Sequence, residues 1–139
     1  MTSSTTQTAP TFYPGLRYRD ARAAIAWLCK AFGFAEQAVY GEGDVVHHAQ
    51  LTFGNGIVML GSSRPDSYGR SPAELGGAVS STVYVYVAEI DAHCQRAKQA
   101  GAEIVRELQD TGYGSREYSA RDPEGHVWSF GTYHPAVGD

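Results

Sequence analysis

Tyr18-Arg19-Asp20-Ala21-Arg22-Ala23-Ala24-Ile25-Ala26-Trp27-Leu28-Cys29-Lys30-Ala31-Phe32-Gly33-Phe34 is the stretch that decides how this chain folds. Asp20 can accept bonds from the free backbone N–H groups of a helix start. Behind it Ala21, Ala24, Ile25, Leu28 and Phe32 recur at helical spacing, which predicts one apolar stripe. Gly33 suits a left-handed helix end. Upstream, Thr11 to Tyr18 reads as a short strand with Phe12, Leu16 and Tyr18 on one parity. Downstream, Ala35–Tyr40, Val45–Phe53 and Ile57–Leu60 read as three strands. Gly41-Glu42-Gly43-Asp44 and Gly54-Asn55-Gly56 separate them with hairpin turn chemistry. The first half is therefore β-α-β-β-β.

The same order returns in the second half. Thr82 to Val87 is a β-branched and aromatic strand, Ile90 to Ala100 a helix with Ile90, Cys94 and Ala97 on one stripe, and Gly101 its stop. Ala102–Arg106, Arg116–Ala120 and Val127–Tyr133 are the three following strands, the last two joined by the turn Asp122-Pro123-Glu124-Gly125. Between the halves, Ser62 to Ser80 is rich in Gly, Ser and Pro and reads as a loop with a helical turn around Pro72 to Leu75. The expected division is a flexible tail at 1–10, a first module at 11–62, a linker at 63–80, a second module at 81–134 and a tail at 135–139. Neither half can bury its sheet face alone. The expected fold is thus α+β, two βαβββ modules whose curved sheets face each other across a cleft.

Composition bounds the function. The chain has 139 residues, 42% hydrophobic and 19% charged, with a formal net charge of −4. That length suits one domain or two small modules sharing a core. No apolar run reaches the roughly 18 residues that span a bilayer, so no membrane role is expected. Residues 1–10 carry neither the basic start nor the apolar stretch of a secretory signal. Mild acidity offers no footprint for nucleic acid. Two cysteines, Cys29 and Cys94, are too few for a disulfide scaffold, which fits a reducing, cytoplasmic setting. Both read as small packed residues without basic neighbours that would activate them. No phosphate-cradling glycine motif, nucleophile elbow or Ser-His-Asp pattern occurs.

Tyr18-Arg19-Asp20 with Ala24-Ile25-Ala26-Trp27-Leu28 and Phe32-Gly33-Phe34 resembles the first-module signature of the vicinal oxygen chelate superfamily, which holds glyoxalase I, extradiol dioxygenases and the bleomycin- and fosfomycin-resistance proteins. Arg121-Asp122-Pro123-Glu124-Gly125-His126-Val127-Trp128-Ser129-Phe130 resembles its second-module ending. The resemblance covers about residues 12–133. It implies a homodimer, and a metal held by His and Glu or Gln from the first and last strands of each module. Carried over by position, those four places fall at Tyr13, near Met59, at Thr82 and at Ser129. None is a strong ligand for a divalent ion, and Met suits Cu(I). The immediate neighbours Phe12, Pro14, Val58, Leu60, Ser81, Val83, Trp128 and Phe130 are no better. The expectation is therefore the bleomycin-resistance-like branch without the metal, and no cofactor.

Strand parity supplies the cleft lining. Val83, Val85 and Val87 face the helix, leaving Thr82, Tyr84 and Tyr86 toward the cleft. Tyr13 and Arg17, Ile57 and Met59, Val127 and Ser129, and Tyr118 are expected to join them, while Trp128 and Phe130 pack on the helix. His48 shares parity with Gln50, and the two could serve as a polar handle or a general base near neutrality. Arg116, behind the flexible Gly112-Tyr113-Gly114-Ser115, could close on a ligand, or pair structurally with Glu117, Glu124 or Asp122. His93 is expected at the surface or core edge, His126 in a structural role and His134 solvated. Asp122 and Glu124 read as makers of local hydrogen bonds. A tyrosine-rich concave surface suits a flat or aromatic small molecule. The same tyrosines could instead fill the cleft or form a dimer interface. The expected function is metal-independent binding, such as sequestration, of a small planar molecule. The alternative is a glyoxalase- or dioxygenase-like enzyme, or a metal-free lyase or isomerase using His48 or a tyrosine.

Overall fold

The computed structural model describes residues 9–138, so most of the expected N-terminal tail (residues 1–8) and Asp139 lie outside the described residues. The elements run β1 (Gly15–Tyr18), α1 (Ala21–Phe32), β2 (Ala35–Glu42), β3 (Val45–Phe53), β4 (Gly56–Ser62), β5 (Val83–Tyr86), α2 (Ile90–Gln99), β6 (Glu103–Asp110), β7 (Arg116–Arg121) and β8 (Val127–Gly131), with one 3-10 turn at Pro72–Glu74. The fold is α+β, the βαβββ order occurring twice. Each module makes one four-stranded sheet, ordered β1-β4-β3-β2 and β5-β8-β7-β6, with β1 and β5 the parallel edge strands.

The local signals act as expected at α1. The Asp20 carboxylate accepts from Ala23 N at 3.1 Å, and Gly33 ends the helix at φ +79°. The start of β1 differs. Pro14 has no N–H to give to a ladder, so only its carbonyl joins, accepting from Met59 N at 2.9 Å, and pairing begins at Gly15. Phe12, expected against the helix, is therefore 90% exposed.

The two modules share one core. Phe32, at the end of α1, packs against Phe130 at 4.7 Å, Trp128 at 5.8 Å and the His93 ring at 6.1 Å, all from the second module. Phe34 adds Trp128 at 5.3 Å, and Trp27 Nε1 donates to the Ala100 carbonyl at 3.1 Å. Truncating one such buried aromatic costs about 3–5 kcal/mol, so these contacts bind the modules into one cooperative unit.

The Asp122–Gly125 turn clasps the modules from the other end. The buried Asp122 carboxylate accepts from the Tyr18 hydroxyl at 2.6 Å, Trp128 Nε1 at 3.1 Å, and the backbone N–H groups of Glu124 and His126. Glu124 reaches back to the Arg19 and Asp20 amides at 2.6 and 2.8 Å and takes the Ser71 hydroxyl at 2.6 Å. His126 Nε2–H donates to the Arg17 carbonyl at 2.8 Å. The two carboxylates, expected to bond only locally, thus also tie the turn to β1, to the α1 entry and to the linker.

The helix-side faces of both sheets are used in this core, and the opposite faces are left open. They line separate hollows that share Thr82.

Candidate functional site

The first hollow, about 430 Å³, lies among β1, β3 and β4 of the first sheet, the 64–82 segment, and Val83, His126, Val127 and Trp128 of the second module. The β1–β4 register pairs Gly15 with Met59 and Arg17 with Gly61, which brings Arg17 and Met59 to the same face. His48 reaches it from β3. Arg17 has a side chain only 12% exposed, with its guanidinium 4.9 Å above the Tyr68 ring. It donates to the Ser62 carbonyl at 3.5 Å and pairs with Asp66 at 3.9 Å, both long contacts. His48 Nε2–H donates to Gln50 Oε1 at 2.9 Å, and Gln50 is in turn fixed by Gln37 at 2.6 Å. The shared parity of His48 and Gln50 is thus a real hydrogen bond, which leaves His48 Nδ1 as an acceptor. Gln50 supports this wall without itself lining it.

The second hollow, about 630 Å³ and shallower, is the open face of the second sheet: Thr82, Tyr84 and Ser129 with Tyr113, Glu117 and Tyr133. The β5–β8 register pairs Tyr84 with Ser129. The Tyr84 hydroxyl donates to the Tyr133 carbonyl at 2.6 Å, Tyr113 donates to Glu117 at 2.8 Å, and Ser129 and Ser119 share a bond at 2.7 Å. Partial burial pushes the Tyr84 phenol above its ordinary range, and the bond to Glu117 does the same for Tyr113. Both remain neutral phenols at physiological pH, able to stack and, with their one O–H already donated, to accept a hydrogen bond.

Tyr86 points to a third hollow at the β5 edge, also about 430 Å³, and stacks on His134 at 3.6 Å. His134 is exposed, as expected, and also covers that ring. Tyr13 precedes β1, is 40% exposed and borders none of the three.

Two further expected site residues, Tyr118 and Arg116, also fall elsewhere. Tyr118 is paired with Phe130 across β7 and β8, and cross-strand partners share a face. It is buried on the helix side, 5.2 Å from Phe130, and donates to His93 Nδ1 at 2.7 Å. Arg116 has the same parity and is held by Asp91 at 2.9 Å and Asp110 at 3.2 Å. It is an anchor between α2, β6 and β7, not a ligand gate, and none of its expected partners holds it. His93 is the third correction. It is buried, its Nε2–H donates to the Phe32 carbonyl at 2.8 Å, and burial pushes its pKa down. A carbonyl can only accept, so the tautomer follows from the bond.

Sequence reasoning missed the 64–82 segment as a wall. Arg64, Tyr68 and Arg70 line the first hollow from it. The available signal was two arginines and a tyrosine inside an otherwise Gly-, Ser- and Pro-rich stretch.

The donors at the four family metal positions do not fit a divalent ion. Met59 offers a soft thioether, Ser129 an alcohol already bonded to Ser119, Thr82 an exposed alcohol ahead of β5, and Tyr13 a phenol outside the hollows. No cluster of three or more His, Cys, Asp or Glu suited to a metal occurs among the described residues. No helix among them is long and apolar enough to cross a membrane.

Two βαβββ modules with open-faced sheets define a class, and the chain belongs to it: the model of the Glyoxalase/Bleomycin resistance protein/Dioxygenase superfamily matches residues 10–130. Among particular relatives, the uncharacterized protein Mb0911c of Mycobacterium bovis is 37% identical over 126 residues, covering 88% of this chain and 82% of its own. The crystal structure of TioX from Micromonospora sp. ML1 is similar at a TM-score of 0.72 and 34% identity, covering 88% of this chain and 98% of TioX. A mutant glyoxalase I from Zea mays shares the fold at a TM-score of 0.69 and 18% identity, with 88% of this chain and 45% of that one covered.

Proposed function

We propose that this protein binds a small, planar or aromatic molecule without a metal ion, as a carrier or sequestering protein. The observation that carries the reading is the set of groups on the open faces. The thioether of Met59 and the alcohols of Thr82 and Ser129 stand where a metal-dependent relative needs imidazole and carboxylate or amide, and Tyr13, outside the hollows, offers only a phenol. Around them are the aromatic rings of Tyr84, Tyr113 and Tyr68 and the guanidinium donors of Arg17. Flat rings beside a guanidinium match a ligand that stacks and accepts hydrogen bonds.

The complete site in this reading belongs to a homodimer. Each chain leaves one open face per sheet, and two-fold symmetry sets the first sheet of one protomer over the second sheet of its partner. The Arg17–Met59 wall then meets the Tyr84–Ser129 wall, and the pair encloses a molecule that neither surface encloses alone.

A thermal-shift screen of planar aromatic compounds against EDTA-treated protein tests the reading. Binding to the native state raises the melting temperature, and Tyr84→Ala abolishes the shift with little loss of stability because that ring is 38% exposed. A screen in which no compound shifts the melting temperature contradicts it. One observation favours a second reading, metal-free acid/base catalysis. His48 lines the first hollow with Nδ1 available as a base while Gln50 holds Nε2. Chemical conversion of a bound compound that stops in His48→Gln would establish that reading instead.

A further inference from the structure

The proposed binding reading leaves the charge of the ligand open, and the first hollow addresses it. The chain carries a net charge of −4, yet no Asp or Glu lines this hollow. Its ionisable lining is Arg17, Arg64 and Arg70 with His47, His48 and His126. An acidic protein has concentrated guanidinium groups around one concavity. Among the described residues, Arg64 and Arg70 make no salt bridge. Arg17 is mostly buried, with one carboxylate at 3.9 Å and one carbonyl at 3.5 Å. A guanidinium has five donors and is always charged. Holding it out of water with only long contacts costs stability, which an incoming anion would recover.

Resting on the binding reading, we infer that the ligand is an anion: a planar apolar body bearing a carboxylate, sulfonate or phosphate-like group. The acidic head sits against Arg17, Arg64 and Arg70. Tyr68, already under the Arg17 guanidinium, and Met59 offer the apolar surface beside it. Arg64 and Arg70 stand on the exposed linker and meet the anion as it enters. The linker therefore contributes to charge selection as well as joining the modules.

Three probes with one ring system test the charge alone: 2-naphthoate, 2-naphthamide and 2-naphthylmethylammonium, titrated calorimetrically at low salt. The expected order is naphthoate about tenfold tighter than the amide, the ammonium weakest, and the naphthoate advantage shrinking as NaCl is raised. The double variant Arg64→Gln/Arg70→Gln removes two exposed side chains outside the core and should fold normally. It is expected to lose most of the naphthoate advantage over the amide. Amide or ammonium binding as tightly as naphthoate, or an advantage unchanged in the double variant, overturns the charge assignment and leaves the binding reading standing. If none of the three binds more tightly than about 1 mM, both fall together.

Discussion

Asp122 shows how a single side chain can join two modules. Its carboxylate accepts four hydrogen bonds, two of them from the buried aromatics Tyr18 and Trp128. Burial and the adjacent carboxylate push the Tyr18 phenol well above its ordinary range, so it stays a donor. Asp122→Ala leaves several donors without partners at once. We expect a loss of roughly 3 kcal/mol or more, read from the urea midpoint. A loss below about 1 kcal/mol would mean that the clasp is incidental. His93 is the titrating counterpart. Its folded-state pKa lies below the ordinary 6.5 because burial disfavours the imidazolium, so the unfolded chain binds the extra proton first. The stability it contributes is complete above the unfolded pKa and is lost as pH falls from about 6.5 toward the lowered folded value. His93→Gln should flatten that part of the stability profile in chemical denaturation, while a slope unchanged in the variant would place the titration elsewhere. Tyr118→Phe should also destabilise, by about 1 kcal/mol or more, because the buried Nδ1 loses its donor.

At the scale of elements, α1 was legible because its signals agree: a capping aspartate, a helical stripe and a terminal glycine. Gly33→Ala puts a side chain at φ +79°, and the added Cβ would lie 3.0 Å from Arg96 Nη1. We expect about 1 kcal/mol of destabilisation, measured by thermal unfolding with the fold retained. A stabilised variant would contradict the assigned cap. Strand faces were legible wherever a strand alternates simply, as in β5 and β8, where Tyr84 and Ser129 fall on one face and Val85 and Phe130 on the other. Tyr118 was misplaced because Arg116-Glu117-Tyr118 carries no clear alternation, and only the pairing of Tyr118 with Phe130 decides its face. Pairing is a relation between distant residues and is not written in either strand alone. Arg116 and His93 were misread for the same reason: Asp91, Asp110, Phe32 and Tyr118 are partners supplied by packing. The 64–82 wall was invisible because loop composition predicts a turn-rich path and not the surface beneath it.

At the scale of the whole molecule, the modules spend their helix-side faces on each other, and the proposed dimer would use the open faces. The dimeric cleft makes a prediction that a site within one chain does not. Arg64→Gln/Arg70→Gln damages the first face, and Tyr84→Ala the second. If the faces pair between protomers, exchanging subunits between the two variants gives half the dimers one intact cleft, so that about a quarter of the sites regain the parent affinity for 2-naphthoate. No recovery, in a mixture shown by native mass spectrometry to contain the mixed dimer, would place the site within one chain. The claim beneath all of this is that binding needs no metal. The direct measurement is calorimetric titration of the protein with its best-binding planar compound, after exhaustive EDTA treatment and elemental analysis, then again with Zn²⁺, Ni²⁺, Mn²⁺ or Fe²⁺ restored. The account predicts saturable binding by the stripped protein with the same affinity in every case. Binding that vanishes on stripping and returns with one stoichiometric metal would contradict it.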